Sequence, residues 1–340
     1  MNNDLTTSLI ARDNVLNNKY ALAELENNLQ LGGLRWENET IFTKQQVAQI
    51  LDIDIRTIER YIADYADELS KNGYRLLKGK SLKDMKLAYV SDIDVGDISP
   101  KAPSLGIFTF RAVLNLAMLV TESERAKFIR SRMLDIVIDV IAQKTGGKTK
   151  FINQRDTDYL PAAYMEESYR KQFTNALRDY LEMGDIKYGL YTDKIYKVIF
   201  CENTKEYRKI LKLAAKDKTR DTMYAEVLKA IGSFENGLAK GIRRKSEALG
   251  RKLQPVELDQ LIQEAAESPF LEPFILDART KMSSWDLGFR EVLHEKLSQY
   301  IQAVPENDFE RFLGERSRSL QEQLEDNNET LAVLQRLKDR

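Results

Sequence analysis

Residues 43–62 read TKQQVAQILDIDIRTIERYI, and this stretch decides how the first part of the chain is expected to fold. Thr43 and Asp54 are residue types that cap helix N-termini, so the spacing predicts two short helices with a turn between them. Asp52 stands in the turn, where Asp tolerates a left-handed conformation better than most residues. The pattern predicts a helix-turn-helix whose inner side carries apolar residues at helical spacing: Val47, Ala48, Leu51, Ile53, Ile58, Tyr61 and Ile62.

The residues left on the outer side of the second helix are mostly polar. Arg56, Thr57 and Arg60 lie near its N-terminus, the end that enters the DNA major groove in this architecture. Arginine pairs with guanine edges or phosphates, and threonine pairs with a phosphate or a thymine methyl group. We therefore expect these three residues to contact double-stranded DNA. The alternative is a helical hairpin packed for stability alone.

A basic run follows the two helices. Residues 74–77 and 87–90 are expected to form two strands of a wing, and Lys78, Lys80 and Lys83 lie between them. A basic wing beside a recognition helix supplies phosphate contacts, so these lysines form the second part of the predicted DNA site. A solvated loop accounts for the same residues equally well.

The length, composition and net charge of the chain limit the class of protein. A chain of 340 residues is long enough for two or three domains, and its 43% of apolar residues can fill their cores. The net charge is -1, so any nucleic-acid site must be a local patch. The single cysteine, Cys201, excludes an intrachain disulfide and indicates a reducing, cytoplasmic setting. With one histidine in the chain, we expect no histidine- or cysteine-rich zinc site. The acidic cluster of Asp92, Asp94 and Asp97 near two prolines predicts a linker, with a divalent-cation site as the weaker alternative, and no cofactor is expected.

The expected fold class is mainly α with small β elements. The N-terminus lacks the pattern of a signal peptide, and no apolar run reaches transmembrane length, so no membrane association is expected. The predicted segments are an N-terminal helical arm at 1–34, a DNA-binding domain with a plain or winged helix-turn-helix at 35–98, a helical unit at 99–148, a helical partner-binding module at 149–254 and a C-terminal helical region for dimer or partner contact at 255–340.

Several other elements are expected from local patterns. Residues 34–42 predict a hairpin that turns at Glu37-Asn38. A helix is expected over about 162–182. Residues 188–200, YGLYTDKIYKVIF, alternate well enough to predict a second hairpin, or a strand followed by the start of a helix. Residues 309–340 predict a charged helix suited to a partner or a second copy of the chain, or simply a solvated terminal helix.

Two stretches carry a resemblance to known proteins. WENETIFTKQQVAQIL at 36–51 is followed by IFTFRAVLNLAMLVTESERAKFIRSRML at 107–134, in which Thr109 is expected to start a helix. Over about residues 35–142 this pairing resembles the N-terminal regions of RhuM-like and KilA-N/BRO-like proteins. The likeness is a pattern of apolar and arginine positions rather than an invariant motif. Those proteins bind DNA in bacteria, phages and mobile elements, so the resemblance implies a DNA-binding regulator.

Residues 204–242 are similar to the C-terminal module of KilA-N-type and related proteins encoded in toxin–antitoxin operons. That module has a T-x-E-W/Y-R helix, an R-D helix and an E-N/S-x-x-A segment, matched here by Thr204, Glu206, Tyr207, Arg208, Arg220, Asp221, Glu235, Asn236 and Ala239. Tyrosine stands at 207, where the pattern often has tryptophan. Because that module is associated with partner binding, the resemblance implies an antitoxin-like role with a partner site at Tyr207, Arg208, Arg220, Asp221, Glu235 and Asn236. From the residues alone, Arg220-Asp221 beside Glu235-Asn236 predicts a polar network that joins two helices.

No motif of a nucleotide-binding loop, a zinc protease or a serine hydrolase occurs in the sequence. Arg290 and His294 are expected one helical turn apart, a pair similar to the Arg…His pair of HEPN-type RNases but more closely spaced. An interior histidine with satisfied hydrogen bonds is the more ordinary interpretation. We therefore expect a DNA-binding regulator that is a homodimer or higher oligomer and is not an enzyme, with a protein partner such as a toxin encoded nearby. The alternatives are an adaptor or phage-defence protein that does not bind DNA, and an RNase.

Overall fold

The structure is a computed structural model that describes residues 4–89 and 102–326. It is mainly helical, with 69% helix and 6% strand, which confirms the expected fold class. The chain divides into two compact units, Met1–Val140 and Ile141–Arg340. Among the described residues, none of the helices combines the length and the apolar character needed to span a bilayer.

The first unit combines helices with one small sheet. Its elements in chain order are α1 (Leu9–Asn17), α2 (Lys19–Leu29), β1 (Leu34–Trp36), β2 (Glu39–Thr43), α3 (Lys44–Leu51), α4 (Ile55–Asp64), α5 (Ala66–Lys71), β3 (Arg75–Lys78), α6 (Gly79–Ala88), β4 (Ser104–Thr109), α7 (Phe110–Leu119) and α8 (Glu124–Lys144), the last of which runs past the end of the unit. All strand pairs are antiparallel, in the order β1-β2-β4-β3.

The sheet is built around a repeated tripeptide, Ile-Phe-Thr, which ends both β2 and β4. These two strands pair with each other, and Phe42 lies opposite Phe108. Each repeat ends on a threonine that caps the next helix: Thr43 Oγ1 accepts from the Gln46 N–H at 3.3 Å, and Thr109 Oγ1 accepts from the Ala112 N–H at 3.2 Å. We call β2-α3-α4 the first copy and β4-α7-α8 the second copy, because each is a strand, a helix, a turn and a second helix.

The two faces of the sheet carry different helices. Phe42 and Phe108 belong to a core with buried residues of α3, α4, α5 and α7. Ile41 and Ile107 belong to a separate core with Leu82 and Met85 of α6. Successive side chains of a strand point to opposite faces, so α6 covers the face of the sheet opposite to α3, α4 and α7.

The predicted hairpin over residues 34–42 is confirmed, and the predicted wing is wrong. Glu37 and Asn38 form the hairpin turn with φ of 48° and 68°, the left-handed pair that a type I′ turn requires. β3 occupies part of the first expected wing strand, but it pairs with β4. In place of the second wing strand, α6 extends through Ala88, because Leu82 and Met85 recur at helical spacing over Ile41 and Ile107. Residues 90–101, which include the acidic cluster of Asp92, Asp94 and Asp97, lie outside the described residues.

In the described part of the second unit, the regular secondary structure is helical apart from one isolated bridge between Leu181 and Leu253. Its elements are a 3-10 turn at Thr149–Arg155, α9 (Tyr159–Tyr180), α10 (Ile186–Phe200), α11 (Thr204–Ile210), a 3-10 turn at Thr219–Thr222, α12 (Ala225–Leu249), α13 (Pro255–Ala266), α14 (Glu272–Phe289), a 3-10 turn at Glu295–Tyr300, α15 (Glu306–Leu313) and α16 (Leu320–Asp326). The long α12 is central, and it packs against α9, α10, α13 and α14.

Two predictions for this unit are corrected. The hairpin expected at 188–200 is a helix, α10, because its buried residues recur at helical rather than alternating spacing: Tyr191, Ile195, Tyr196, Ile199 and Phe200. The single helix expected from residue 309 is interrupted, since α15 ends before Gly314 and α16 begins at Leu320. The remainder of that segment, residues 327–340, lies outside the described residues. The helix expected at 162–182 is confirmed as α9.

Candidate nucleic-acid interface and buried polar networks

α3 and α4 are joined by a three-residue turn whose ends are fixed by side chains. Thr43 and Gln46 form a capping box at the start of α3. Asp52 ends α3 in the left-handed conformation, with φ of 52°. Asp54 then caps α4, because its Oδ1 accepts from the Arg56 N–H at 2.7 Å. Both predicted caps are present at the ends of helices where the sequence placed them.

One side of α4 is buried and the other is open to solvent. Ile58 is fully buried and Tyr61 nearly so. Arg56, Glu59 and Arg60 are exposed, and Thr57 is half-buried beside them. The three residues predicted to contact DNA therefore lie on or next to the exposed side of one short helix.

The charges on this surface are not equally available. Glu59 accepts from Lys44 Nζ at 2.9 Å, and Arg60 is ion-paired with Glu122, from the turn before α8. The hydrogen bond from the Tyr61 hydroxyl and the ion pair with Arg60 hold the pKa of Glu122 at about 2. The side chain of Arg56 makes no hydrogen bond or ion pair with any other residue that the structure describes. Arg56 is thus the least neutralised of the predicted DNA contacts on this helix.

The lysines of the predicted wing lie elsewhere in the first unit. Lys78 ends β3, and Lys80 and Lys83 are exposed residues of α6. Since α6 covers the sheet face opposite to α4, the structure does not bring Lys80 and Lys83 together with Arg56. Sequence patterns also gave no sign of the contact between Arg60 and Glu122, which joins residues 62 positions apart.

The second copy anchors a buried polar network in the same unit. Asn115 of α7 is fully buried; its amide nitrogen donates to Glu68 Oε1 at 2.6 Å, and its amide oxygen accepts from Asn72 at 3.1 Å. Arg12 completes the network through two hydrogen bonds to Glu68, of 2.7 and 2.8 Å. Burial alone raises the pKa of Glu68, but hydrogen bonds from Arg12 and Asn115 outweigh it and lower the pKa.

The residues predicted to bind a partner stabilise the second unit from within or lie close to its surface. Tyr207 and Glu235 are buried, whereas Arg208, Asp221 and Asn236 are partly exposed. Arg208 donates to the carbonyl oxygens of residues 214 and 217, both at 2.6 Å, and so holds the loop after α11. Of the predicted polar network, the Arg220–Glu235 pair is present: Arg220 Nη2 lies 2.7 Å from Glu235 Oε1 and ties the 3-10 turn at Thr219–Thr222 to α12.

His294 and Arg290 are held in a buried ionic network, not on one face of a helix. α14 ends at Phe289, so the expected helical turn between them is absent. His294 Nδ1 lies 3.0 Å from Glu202, and His294 Nε2 lies 2.6 Å from Asp286. Burial alone lowers the pKa of His294, but these two hydrogen bonds raise it to about 9. Arg290 lies 3.2 Å from Asp286, and its side chain is 2% exposed.

Within residues 4–89 and 102–326, no group of three or more histidine, cysteine, aspartate or glutamate side chains is arranged to hold a metal ion. No protein-family model matches the chain, and neither the search of curated proteins nor the search of solved structures found a similar one.

Proposed function

We propose that the chain is a sequence-specific DNA-binding regulator that contacts operator DNA through α3 and α4. The observation that carries the proposal concerns Arg56, the second residue of α4. Its side chain is exposed and makes no ion pair within the described residues, and it lies on the side of the helix opposite the buried Ile58. A helix N-terminus with a free arginine suits insertion into the major groove, where arginine pairs with guanine or phosphate. Thr57 and Arg60 extend the same surface, and Arg60 reaches DNA only by leaving Glu122.

The same geometry limits the number of DNA phosphates that one chain can contact. Lys80 and Lys83 lie on the opposite side of the sheet, so few phosphates are contacted from the α4 side. A net charge of -1 adds no general attraction. We therefore propose that the regulator binds as a dimer on two half-sites, which doubles the contacts.

The second unit is proposed to hold a protein partner, as in an antitoxin-like regulator. Arg208, Asp221 and Asn236 are the partly exposed members of the predicted set that a partner can reach. Tyr207 and Glu235 are buried, and Glu235 is ion-paired with Arg220. An adaptor without DNA binding is the rival interpretation. An RNase site at Arg290 and His294 has less support, because both ring nitrogens of the buried histidine are held by carboxylates.

The test is a salt titration of binding to duplex DNA from the region upstream of the gene. Fluorescence anisotropy is measured with that duplex and with a shuffled duplex of equal length, from low to physiological salt. We expect tighter binding to the upstream duplex and an affinity that falls linearly with salt on a logarithmic scale. Undetectable binding to either duplex at low salt would contradict the proposal and favour the adaptor.

A further inference from the structure

The second unit contains a cavity of about 670 Å³ lined by α9, α10 and residues 218–221. This volume is within the range of pockets that hold small molecules. Three tyrosines, Tyr159, Tyr188 and Tyr196, contribute to the lining. Gly189 of α10 also lines it, and a Cβ atom added there would meet nothing within 4 Å, so space remains on that side.

The floor of the cavity is a buried cluster in which two carboxylates share one guanidinium. Arg220 Nη2 lies 2.7 Å from Glu235 Oε1, and Nη1 is ion-paired with Glu166. Nε of Arg220 donates to the Tyr196 hydroxyl at 2.9 Å. The side chains of Glu166 and Glu235 are only 7% and 1% exposed. A buried cluster with one more carboxylate than cation is costly unless a further positive charge approaches it.

The walls add further carboxylates, and two of them are not neutralised by cations. Glu167 is exposed, and its side chain makes no ion pair or hydrogen bond within the described part of the chain. Asp193 accepts from the backbone N–H and the hydroxyl of Thr204, at 2.9 and 2.6 Å, both neutral donors. Asp221 is the fourth carboxylate of the lining. The field inside the cavity therefore favours positive charge.

The cations of the lining do not reverse this balance. Besides Arg220 they are Arg170 and Lys218, so the lining holds four carboxylates and three cations. Behind the lining, Glu235 adds one carboxylate and Lys187, whose Nζ lies 5.5 Å from the Tyr188 ring centroid, adds one cation. The tyrosine faces also attract cations: the Arg220 guanidinium lies 5.6 Å from the Tyr196 ring centroid. An anion would find the buried guanidinium already bonded to two carboxylates.

We propose that this cavity binds a small organic cation that carries a guanidinium or a primary ammonium group. The positive group approaches the excess carboxylates around Glu166 and Glu167. Its hydrocarbon part lies against the tyrosine rings, which combine an apolar body with a cation-binding face. The site is independent of the proposed DNA binding, because every residue that forms it belongs to the second unit.

The test is isothermal titration calorimetry of the full chain with agmatine and spermidine as probes, and with inorganic phosphate and ATP as anionic contrasts. We expect saturable binding of at least one cation at one site per chain, and none of the anions at the same site. Absence of heat from both cations at millimolar concentration would overturn the proposal. Displacement of a bound cation by ATP would also overturn it, because the site would then prefer anions.

Two exposed glutamates of the second unit provide a matched pair of variants. Glu167 of α9 lines the cavity, whereas Glu264 of α13 does not. We expect Glu167→Gln to weaken cation binding about five-fold, the effect of one accessible charge, and Glu264→Gln to leave it unchanged. Tyr188→Ala is expected to weaken binding by a similar factor through loss of a cation-binding ring. Equal affinities for wild type, Glu167→Gln and Tyr188→Ala would place the bound cation elsewhere and overturn the proposal.

Discussion

The two copies of the Ile-Phe-Thr element have similar residues at matching positions, but they differ in how much of each copy is buried. Each has a threonine cap, a valine four residues later and an arginine at the second position of its second helix, Arg56 in the first copy and Arg125 in the second. In the second copy, every residue from Ala112 to Leu119 is buried. In the first copy, α3 buries only Val47 and Leu51.

The difference shows that the same strand-helix-turn-helix arrangement can form part of a core in one place and part of the surface in another. The position six residues after the capping threonine is Gln49 in the first copy, where it is exposed, and Asn115 in the second, where it is fully buried. The strand pairing around Phe42 and Phe108 is symmetric, so the sheet does not distinguish the copies. The first helix of each copy does distinguish them, because α7 is buried from Ala112 to Leu119 whereas α3 keeps an exposed side.

The largest expected effect comes from comparing those two equivalent positions. Asn115→Ala removes a donor to Glu68 and an acceptor for Asn72 inside the first unit. We expect the free energy of unfolding of that unit to fall by about 3 kcal/mol, because buried polar groups lose their partners. Gln49→Ala, at the exposed position, is expected to change it by no more than about 0.5 kcal/mol.

The chain has two tryptophans, which allow the first unit to be followed separately. Trp36 lies in β1, and Trp285 lies in α14 of the second unit. Urea unfolding is followed by Trp36 fluorescence in a Trp285→Phe background. Similar urea midpoints for Asn115→Ala and Gln49→Ala would show that the two positions contribute equally to stability, which would contradict the proposed difference between the copies.

A pH series extends the comparison to the second unit, whose stability is expected to depend on the protonation of His294. The pKa of His294 is raised to about 9 from its ordinary value of 6.5, so its protonated form stabilises the folded state. This contribution is fully present below about pH 6.5 and is lost as the pH rises through 9. We expect the second unit to lose up to about 3 kcal/mol between those limits.

Unfolding at pH 6.5 and pH 9.5, followed by Trp285 fluorescence in a Trp36→Phe background, measures this loss. His294→Gln is expected to be less stable at pH 6.5 and nearly independent of pH over the interval. A wild-type stability that rises toward alkaline pH would contradict the proposed charge of the network.

The two capping threonines give a smaller contrast. Thr109 Oγ1 accepts from the Ala112 N–H and donates to the Asn72 carbonyl at 3.0 Å, whereas Thr43 Oγ1 accepts from the Gln46 N–H. We expect Thr109→Ala to destabilise the first unit by about 2 kcal/mol and Thr43→Ala by about 1 kcal/mol. Serine at either position restores most of the loss in urea unfolding if the hydroxyl is responsible. Failure of both serine variants to recover stability would assign the effect to the methyl group instead.

What the sequence predicted correctly was local. The turn at Glu37-Asn38 and the caps Thr43 and Asp54 depend on residues within four positions, so their patterns were sufficient. Helix α6 was missed because its apolar residues lie within a basic run that was also compatible with a wing. Helix α10 was misjudged because tyrosines and isoleucines at helical spacing also alternate over short stretches.

The parts of the candidate site that could not be predicted depend on distant residues. The ion pair that restrains Arg60 comes from Glu122, 62 positions away, and the network that holds His294 includes Glu202, 92 positions away. The opposite placement of α4 and α6 depends on which face of the sheet each helix covers. Alternation within a strand separates the faces, but it does not say which helix packs on which one.

The most direct test compares the equivalent arginines of the two copies in the binding of upstream duplex DNA. Both arginines are exposed, but Arg125 follows Glu122 and Glu124, two carboxylates that oppose DNA phosphates. At fixed low salt, we expect Arg56→Ala to weaken binding about five-fold and Arg125→Ala to change it less than about two-fold, with both variants as stable as wild type. Equal affinities for Arg56→Ala and wild type, or a larger loss for Arg125→Ala, would contradict the assignment of the DNA surface to the first copy.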